Sequence, residues 1–338
     1  KQESRMAKER ASVHFPKFKE GLPMVEGKVF VITGTTSGTG FVAAQTVLEK
    51  GGEVVCLNRK SQRVEDATSK LEEAVPSAKD KIVNIECDLQ DFASVKKAAA
   101  EIKSKYDKIY CLSCNAGISH TADKATVDGC CNQMQTNHLS HFLLAADLYP
   151  LLEAEAEANG DARVVFHSSA ARNMTEHKKV EQKYYEKNGG NGTLGDDSNS
   201  MFFGGGRAYR YAQSKLANSV MMQAMQEKLQ AKGSSVKVFC AHPGGSQTNL
   251  GNDIELPWFE TALFKFLLVP FLMQSAEDGT MGLLTGMMAE DAQSGTLYGP
   301  VGTGGLAGPA VAIPPKPEEN DPEGMKILWE TSQETTGV

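Results

Sequence analysis

A chain of 338 residues, 41% hydrophobic and 23% charged, has the composition of a globular protein able to bury a full core, as one large α/β domain or two smaller ones. A net charge of −7 argues against nucleic acid as a partner, because phosphate binding wants a concentrated basic surface. No stretch reaches the roughly eighteen consecutive apolar residues of a membrane span. The seven cysteines, an odd number set mostly in apparent strands and helices, fit a reducing compartment inside the cell, cytoplasm or an organelle such as the plastid.

Taken in chain order, residues 1–26 are polar and basic and read as an arm ahead of the fold. The numbering begins at Lys1 rather than a methionine, which leaves room upstream for a piece such as a targeting peptide. "KVFVITG" is then a buried strand, "FVAAQTVLEKGG" a helix closed by glycine, and "EVVCLNR" a second strand. The helical "KSQRVEDATSKLEEAV" follows, then the strands "IVNIECDL" and "KIYCLSCNAG" with the helix "SVKKAAAEIKSKY" between them. A long helix around "MQTNHLSHFLLAADLYPLLEAEA" leads to the strand "ARVVFHSS", and the helix from Tyr211 onward to the strand "VKVFCAHPG". Strands alternating with helices of ten or more residues imply right-handed crossovers and a doubly wound parallel sheet, a Rossmann fold, over about 27–300. Three stretches break the rhythm: an insert at 172–206, the apolar run "LPWFETALFKFLLVPFLM" at 256–273, and a Gly/Pro-rich loop at 299–323 before a last short helix. The tail 301–338 is expected to be loop and short helix.

Chemistry concentrates at the strand ends. The first strand runs into "TGTTSGTG", where Gly34, Gly38 and Gly40 permit a tight turn and let backbone amides approach a pyrophosphate at a helix N-terminus. After the second strand, where an NAD-type site offers a carboxylate to the ribose, the chain reads Asn58-Arg59-Lys60. Arg59 would welcome a 2′-phosphate through its planar fork of donors, so NADP(H) is preferred over NAD(H). Tyr211 and Lys215 lie at i and i+4, on one helical face, where an ammonium can favour a phenolate and lower a tyrosine pKa. The C-x-x-C of Cys111 and Cys114 lies in an apolar run and reads as structural, as does the pair Cys130 and Cys131. His138 and His141 flank Asn137 with no third ligand evident and read as packing or hydrogen-bonding groups; no metal is expected.

These motifs, with "NAG" at 115–117, Asn137 in "TNHLSHF", the serines of "VVFHSS", "YAQSK" at 211–215 and "HPGGSQT" at 242–248, occur in the order and strand context of the short-chain dehydrogenase/reductase family. The chain most resembles its retinol dehydrogenase and WW-domain oxidoreductase group, and more distantly light-dependent protochlorophyllide reductase. The resemblance implies a tetrad. Tyr211 would be the general acid in reduction or base in oxidation, and Lys215 would hold the nicotinamide ribose and depress the tyrosine pKa. Ser169 would hydrogen-bond the substrate oxygen, Ser168 being disfavoured by strand alternation, and Asn137 would hold a water leading from Lys215 to solvent. It also implies cofactor contacts from Gly34, Ser37, Gly38, Gly40 and Gly117, from Asp88 to the adenine, from Asn115, Pro243 and Gly244, and from Thr248 to the carboxamide. Departures are Thr39 in the glycine turn, Gly245-Ser246 after "HPG", and the long insert between Ser169 and Tyr211, which must loop out.

The reading is an NADP(H)-dependent oxidoreductase acting on the carbonyl or alcohol of a bulky lipophilic substrate, retinoid-, carotenoid-, steroid- or tetrapyrrole-like. The run 256–273 is read as a lipophilic lid that also touches a membrane surface, against the alternative of two helices capping the core. Trp258, Phe259, Phe264 and Phe266 are the expected lining. The rival class is a non-catalytic binding or assembly subunit docked to a larger complex. Against it stands the full tetrad.

Overall fold

The computed structural model describes residues 10–187, 194, 196–200, 204–246 and 273–338. Its centre is an eight-stranded sheet in the order β3-β2-β1-β4-β5-β6-β7-β8. The strands are β1 (Val29–Thr33), β2 (Glu53–Asn58), β3 (Ile82–Glu86), β4 (Cys111–Cys114), β5 (Ala162–His167), β6 (Val236–Ala241), β7 (Thr296–Val301) and β8 (Ala307–Ile313). Strands β1, β2, β4, β5 and β6 read as near-continuous apolar runs because both faces are covered, whereas the edge strand β3 exposes Asn84 and Glu86. Phe30, Ile32, Val54 and Val165 face one core, while Val31, Val55, Leu112 and Val164 face the other. The first core is closed by α2 (Gly38–Glu49) and α7 (Ala276–Met288). The second is closed by α4 (Phe92–Lys105), α5 (Ser140–Asn159) and α6 (Gly206–Lys232). The edge helix α3 (Gln62–Ala74) buries only Ala67 and Leu71. All strand pairs are parallel except β7 with β8. The strand order reverses between β1 and β4, which opens a crevice at their carboxyl ends.

Three expectations are corrected at the margins. The described part of the 1–26 arm belongs to the fold: α1 (Phe15–Glu20) buries Phe15, and Leu22 and Val25 join the first core. Its start is held by the buried Asp278 carboxylate, which accepts the N–H groups of Val13, His14 and Phe15 at 2.9, 2.9 and 2.8 Å. The 301–338 tail is no loop but carries the antiparallel edge strand β8 and the fifteen-residue helix α8 (Pro322–Thr336). The insert at 172–206 does not simply loop out over its described residues. Val180, Tyr184 and Tyr185 are core residues, the Tyr185 hydroxyl reaches Gln213 on α6, and Thr335 donates to the Tyr185 carbonyl at 2.9 Å. Arg172 pairs with Glu319 at 2.7 Å, each 3% exposed, so insert and tail brace one another. Of the 256–273 run only Met273 is described, so the lid expectation lies outside the described residues. No described helix is long and apolar enough to cross a membrane.

All seven cysteines are buried and free, and burial pushes the Cys56 thiol up to about 11. Five histidines are also buried: His120 in the loop after β4, His138 and His141 on or beside α5, His167 on β5, and His242 after β6. Desolvation lowers His138, His167 and His242 to about 3 and His141 to about 4. Each folded value lies below the unfolded one near 6.5, so as pH falls the unfolded chain takes up protons first. The stability these neutral rings contribute is complete above pH 6.5 and is lost as pH drops from there toward 3 (toward 4 for His141), at about 2 kcal/mol per ring by pH 5. Urea midpoints should therefore fall sharply between pH 7 and pH 5. Equal midpoints would show that the rings are not held neutral.

Candidate active site

The glycine turn is fixed by close packing. Gly34 has φ +74° and a Cβ there would lie 2.9 Å from the Ala116 Cβ; one at Gly40 would lie 2.1 Å from the Gly34 carbonyl oxygen. Asn115 ties the turn to the loop after β4. Its Nδ2 donates to the carbonyls of Thr33 and Gly34 at 2.9 and 3.3 Å, and its Oδ1 accepts from Thr39 Oγ1 at 2.8 Å. That bond accounts for the threonine where the family places an aliphatic residue. His167 Nδ1 lies 2.9 Å from the same Oδ1, which fixes the ring as a neutral donor there. Ser37 makes no side-chain cap to α2, so the first-turn amides keep their donors for an anion, and Thr36, Ser37, Gly38 and Thr39 line the crevice.

The crevice has a volume of about 340 Å³ and runs from Arg59, Arg63 and Asp88 past Asn115 and Gly117 to Tyr211, Lys215 and Pro243. Asn58 is occupied in bracing the turn: it accepts from the Thr35 N–H at 2.9 Å and donates to Thr35 Oγ1 at 2.8 Å. Arg59 and Arg63 are exposed at the rim. Gly244 has φ +64°, and a Cβ there would meet the Leu306 carbonyl at 2.4 Å. Ser246 donates to the Pro243 carbonyl at 2.6 Å, closing the turn that departs from the family pattern. Thr248 lies outside the described residues.

At the inner end, a π-helical turn over Gln135–Leu139 carries Asn137, a feature often found at functional sites. Its Oδ1 accepts from the Ile118 N–H at 2.8 Å, and its Nδ2 donates to the Ile118 carbonyl and to Ser214 Oγ at 2.9 and 2.8 Å. A Cβ on Gly117 would come within 3.1 Å of Asn137 Oδ1 and 3.2 Å of Lys215 Nζ, so glycine lets these two groups share one small space. Lys215 Nζ donates to the His167 carbonyl at 2.9 Å, which Asn218 Nδ2 also reaches at 2.9 Å. Ser168 turns away and donates to the Lys215 carbonyl at 2.6 Å. The hydroxyls of Ser169 and Ser119 stand beside the Tyr211 phenol, where they favour its charged form.

The electrostatics differ from expectation in one respect. Burial raises the Tyr211 phenol above its ordinary value, and the two serine hydroxyls pull it part of the way back. Lys215 lies 5.7 Å from the phenol ring centre and is itself lowered to about 8 by burial. Desolvation thus dominates the i,i+4 coupling read from the sequence. The sequence reading also passed over Ser119, Arg63, His167 and Asn218; only Arg63, one turn beyond Arg59 on a helix start, left a visible signal.

A family model described as short chain dehydrogenase matches residues 28–181. An uncharacterized oxidoreductase of Schizosaccharomyces pombe is 30% identical over 268 residues, 78% of this chain and 74% of its own length. Retinol dehydrogenase 14 of Mus musculus is 28% identical over 324 residues, 93% of this chain and 87% of its own. The crystal structure of an uncharacterized protein from Mycobacterium paratuberculosis matches at TM-score 0.70 and 26% identity, covering 95% of this chain and 97% of that one. By fold, site geometry and sequence, the chain belongs to the short-chain dehydrogenase/reductase family.

Proposed function

We propose that the protein is an NADP(H)-dependent oxidoreductase acting on the carbonyl or alcohol of a bulky lipophilic substrate, with Tyr211 as the proton-carrying group. The observation that carries this reading is the Tyr211 phenol beside Ser169 at the inner end of a crevice whose outer rim offers Arg59 and Arg63. The crevice suits a dinucleotide: uncapped α2 amides for the pyrophosphate, a glycine cradle that any Cβ would fill, and Asp88 and the two arginines at the adenosine end. When bound, the nicotinamide supplies or takes the hydride. The chain's own residues do the rest. Ser169 orients the substrate oxygen beside Tyr211, and Tyr211 gives or takes the proton as the charge on that oxygen changes. Lys215, anchored on the His167 carbonyl, holds the ribose and keeps a positive charge near the reacting oxygen.

The retinol dehydrogenase relative supports a lipophilic substrate. The apolar run 256–273 is proposed as the matching lid and as a contact with a membrane surface. Cofactor choice is tested by titrating NADPH and NADH into wild type and Arg59→Ala. NADPH should bind much more tightly to the wild type, and Arg59→Ala should cost about 1.5–3 kcal/mol, tenfold or more in affinity, for NADPH alone. Equal wild-type affinities would remove the NADP(H) assignment.

A further inference from the structure

The loop after β4 carries two residues that the reaction above does not use, Ser119 and His120. His120 has φ +53°, left-handed backbone that is uncommon outside glycine, although histidine is among the types that take it more readily. Such a conformation persists where the surroundings hold it, and such places cluster at functional sites. Ser119 Oγ lies 2.6 Å from His120 Nδ1, and the His120 ring is tilted at 41° to Tyr211 with 5.6 Å between ring centres. The same Ser119 hydroxyl stands beside the Tyr211 phenol, and both line the crevice. Both residues are nearly enclosed, 6% and 9% exposed. Phenol, hydroxyl and imidazole thus adjoin one another in a dry setting, where hydrogen bonds between them are strong. Lys215 commits a donor to the His167 carbonyl instead.

We propose that Ser119 and His120 are a proton relay to Tyr211, with His120 the group that exchanges protons with water. The inference rests on Tyr211 acting as the acid and base. In reduction, Tyr211 gives its phenolic proton to the substrate oxygen as hydride reaches the carbonyl carbon, leaving a phenolate. Ser119 Oγ–H then passes its proton to the phenolate while His120 Nδ1–H passes one to Ser119 Oγ. An imidazolium becomes a neutral imidazole, the serine is unchanged, and water returns the ring's proton. In alcohol oxidation the same transfers run in reverse. Besides His120, the charged or titratable groups at the phenol among the described residues are Lys215 on its own helix and, bonded to Lys215 through its carbonyl, His167 on β5, whose ring burial keeps neutral. Further along the loop, Asp123 faces Arg210 at 3.7 Å.

The full chain is compared as wild type, Ser119→Ala, His120→Asn and Tyr211→Phe. Asparagine removes the imidazole yet tolerates left-handed backbone, so strain relief is not confused with relay loss. Turnover is read with NADPH and all-trans-retinal or 4-nitrobenzaldehyde. Independently of any substrate, the Tyr211 resonance is followed with pH in protein labelled at the tyrosine Cζ, with NADP+ present, and identified by its loss in Tyr211→Phe. Ser119→Ala and His120→Asn should raise the Tyr211 pKa by about one unit and lower kcat about tenfold or more, with KM little changed. Added imidazole should restore rate to His120→Asn but not to Ser119→Ala. Wild-type titration and kcat in both variants, with Tyr211→Phe inactive, would overturn the relay alone. An active Tyr211→Phe would overturn the acid–base reading beneath it.

Discussion

Tyr211→Phe is expected to leave the fold and NADPH affinity intact while cutting turnover by about 10²–10⁴-fold, the usual worth of a positioned acid or base. The substitution removes one oxygen from a residue that is 7% exposed and otherwise packed in place. It removes the oxygen that stands beside Ser169 and Ser119, interactions worth at most about 1 kcal/mol each, and leaves two small hydroxyls to turn elsewhere. Melting should therefore shift by only a few degrees. A turnover loss accompanied by equal loss of cofactor affinity would mean that the phenol serves binding rather than proton transfer.

Gly40→Ala should do the opposite, abolishing cofactor binding at its source. The added Cβ would stand 2.1 Å from the Gly34 carbonyl oxygen and 2.4 Å from Asn115 Nδ2. The first is backbone in the turn itself, and the second is the clamp on Thr33 and Gly34, so neither can yield without undoing the phosphate cradle. Overpacking of this kind costs about 1–3 kcal/mol, and NADPH affinity should fall roughly a hundredfold or more, about 2.8 kcal/mol. Gly160→Ala is the control. Its φ is +76° and nothing lies within 4 Å of the new Cβ, so it should lose about 1–2 kcal/mol of stability and no affinity. Wild-type NADPH binding by Gly40→Ala would refute the assignment of this turn.

What could be read from the sequence followed from burial. Strands β1 to β6 announced themselves, five as apolar runs and the edge strand β3 by alternation, whereas β7 and β8 did not. "TLYGPV" and "AGPAVAI" carry Gly and Pro, which read as loop, and β8 can hold Pro309 because it is an edge strand. The first helix has six residues, and the carboxylate that holds its start, Asp278, is 263 positions away from Phe15, beyond any local pattern. Likewise "KKVEQKYYEK" looks like solvated insert, yet Tyr185 is fully buried because α8 returns to cover it. In the site, Tyr211, Lys215, Asn137 and the glycines stood out because their spacing is set by the fold. Ser119 and His120 carry no such spacing; only the backbone angle and the contact with Tyr211 bring them into view. The pKa order at Tyr211 was illegible for a related reason. An i,i+4 pair shows proximity along a helix, while desolvation depends on everything packed around it.

The central claim, hydride transfer to a lipophilic carbonyl with Tyr211 supplying the proton, is tested most directly by following the hydrogen itself. The protein would be incubated with NADPH deuterated at the nicotinamide C4 position and, in turn, all-trans-retinal, a ketosteroid and an aromatic aldehyde, and the alcohols analysed by mass spectrometry. The account predicts one deuterium on the carbinol carbon of at least one product, transferred from a single face of the nicotinamide and lost in Tyr211→Phe. NADPH bound tightly with no deuterium delivered to any of the three would contradict it and favour a binding or assembly role for the same fold.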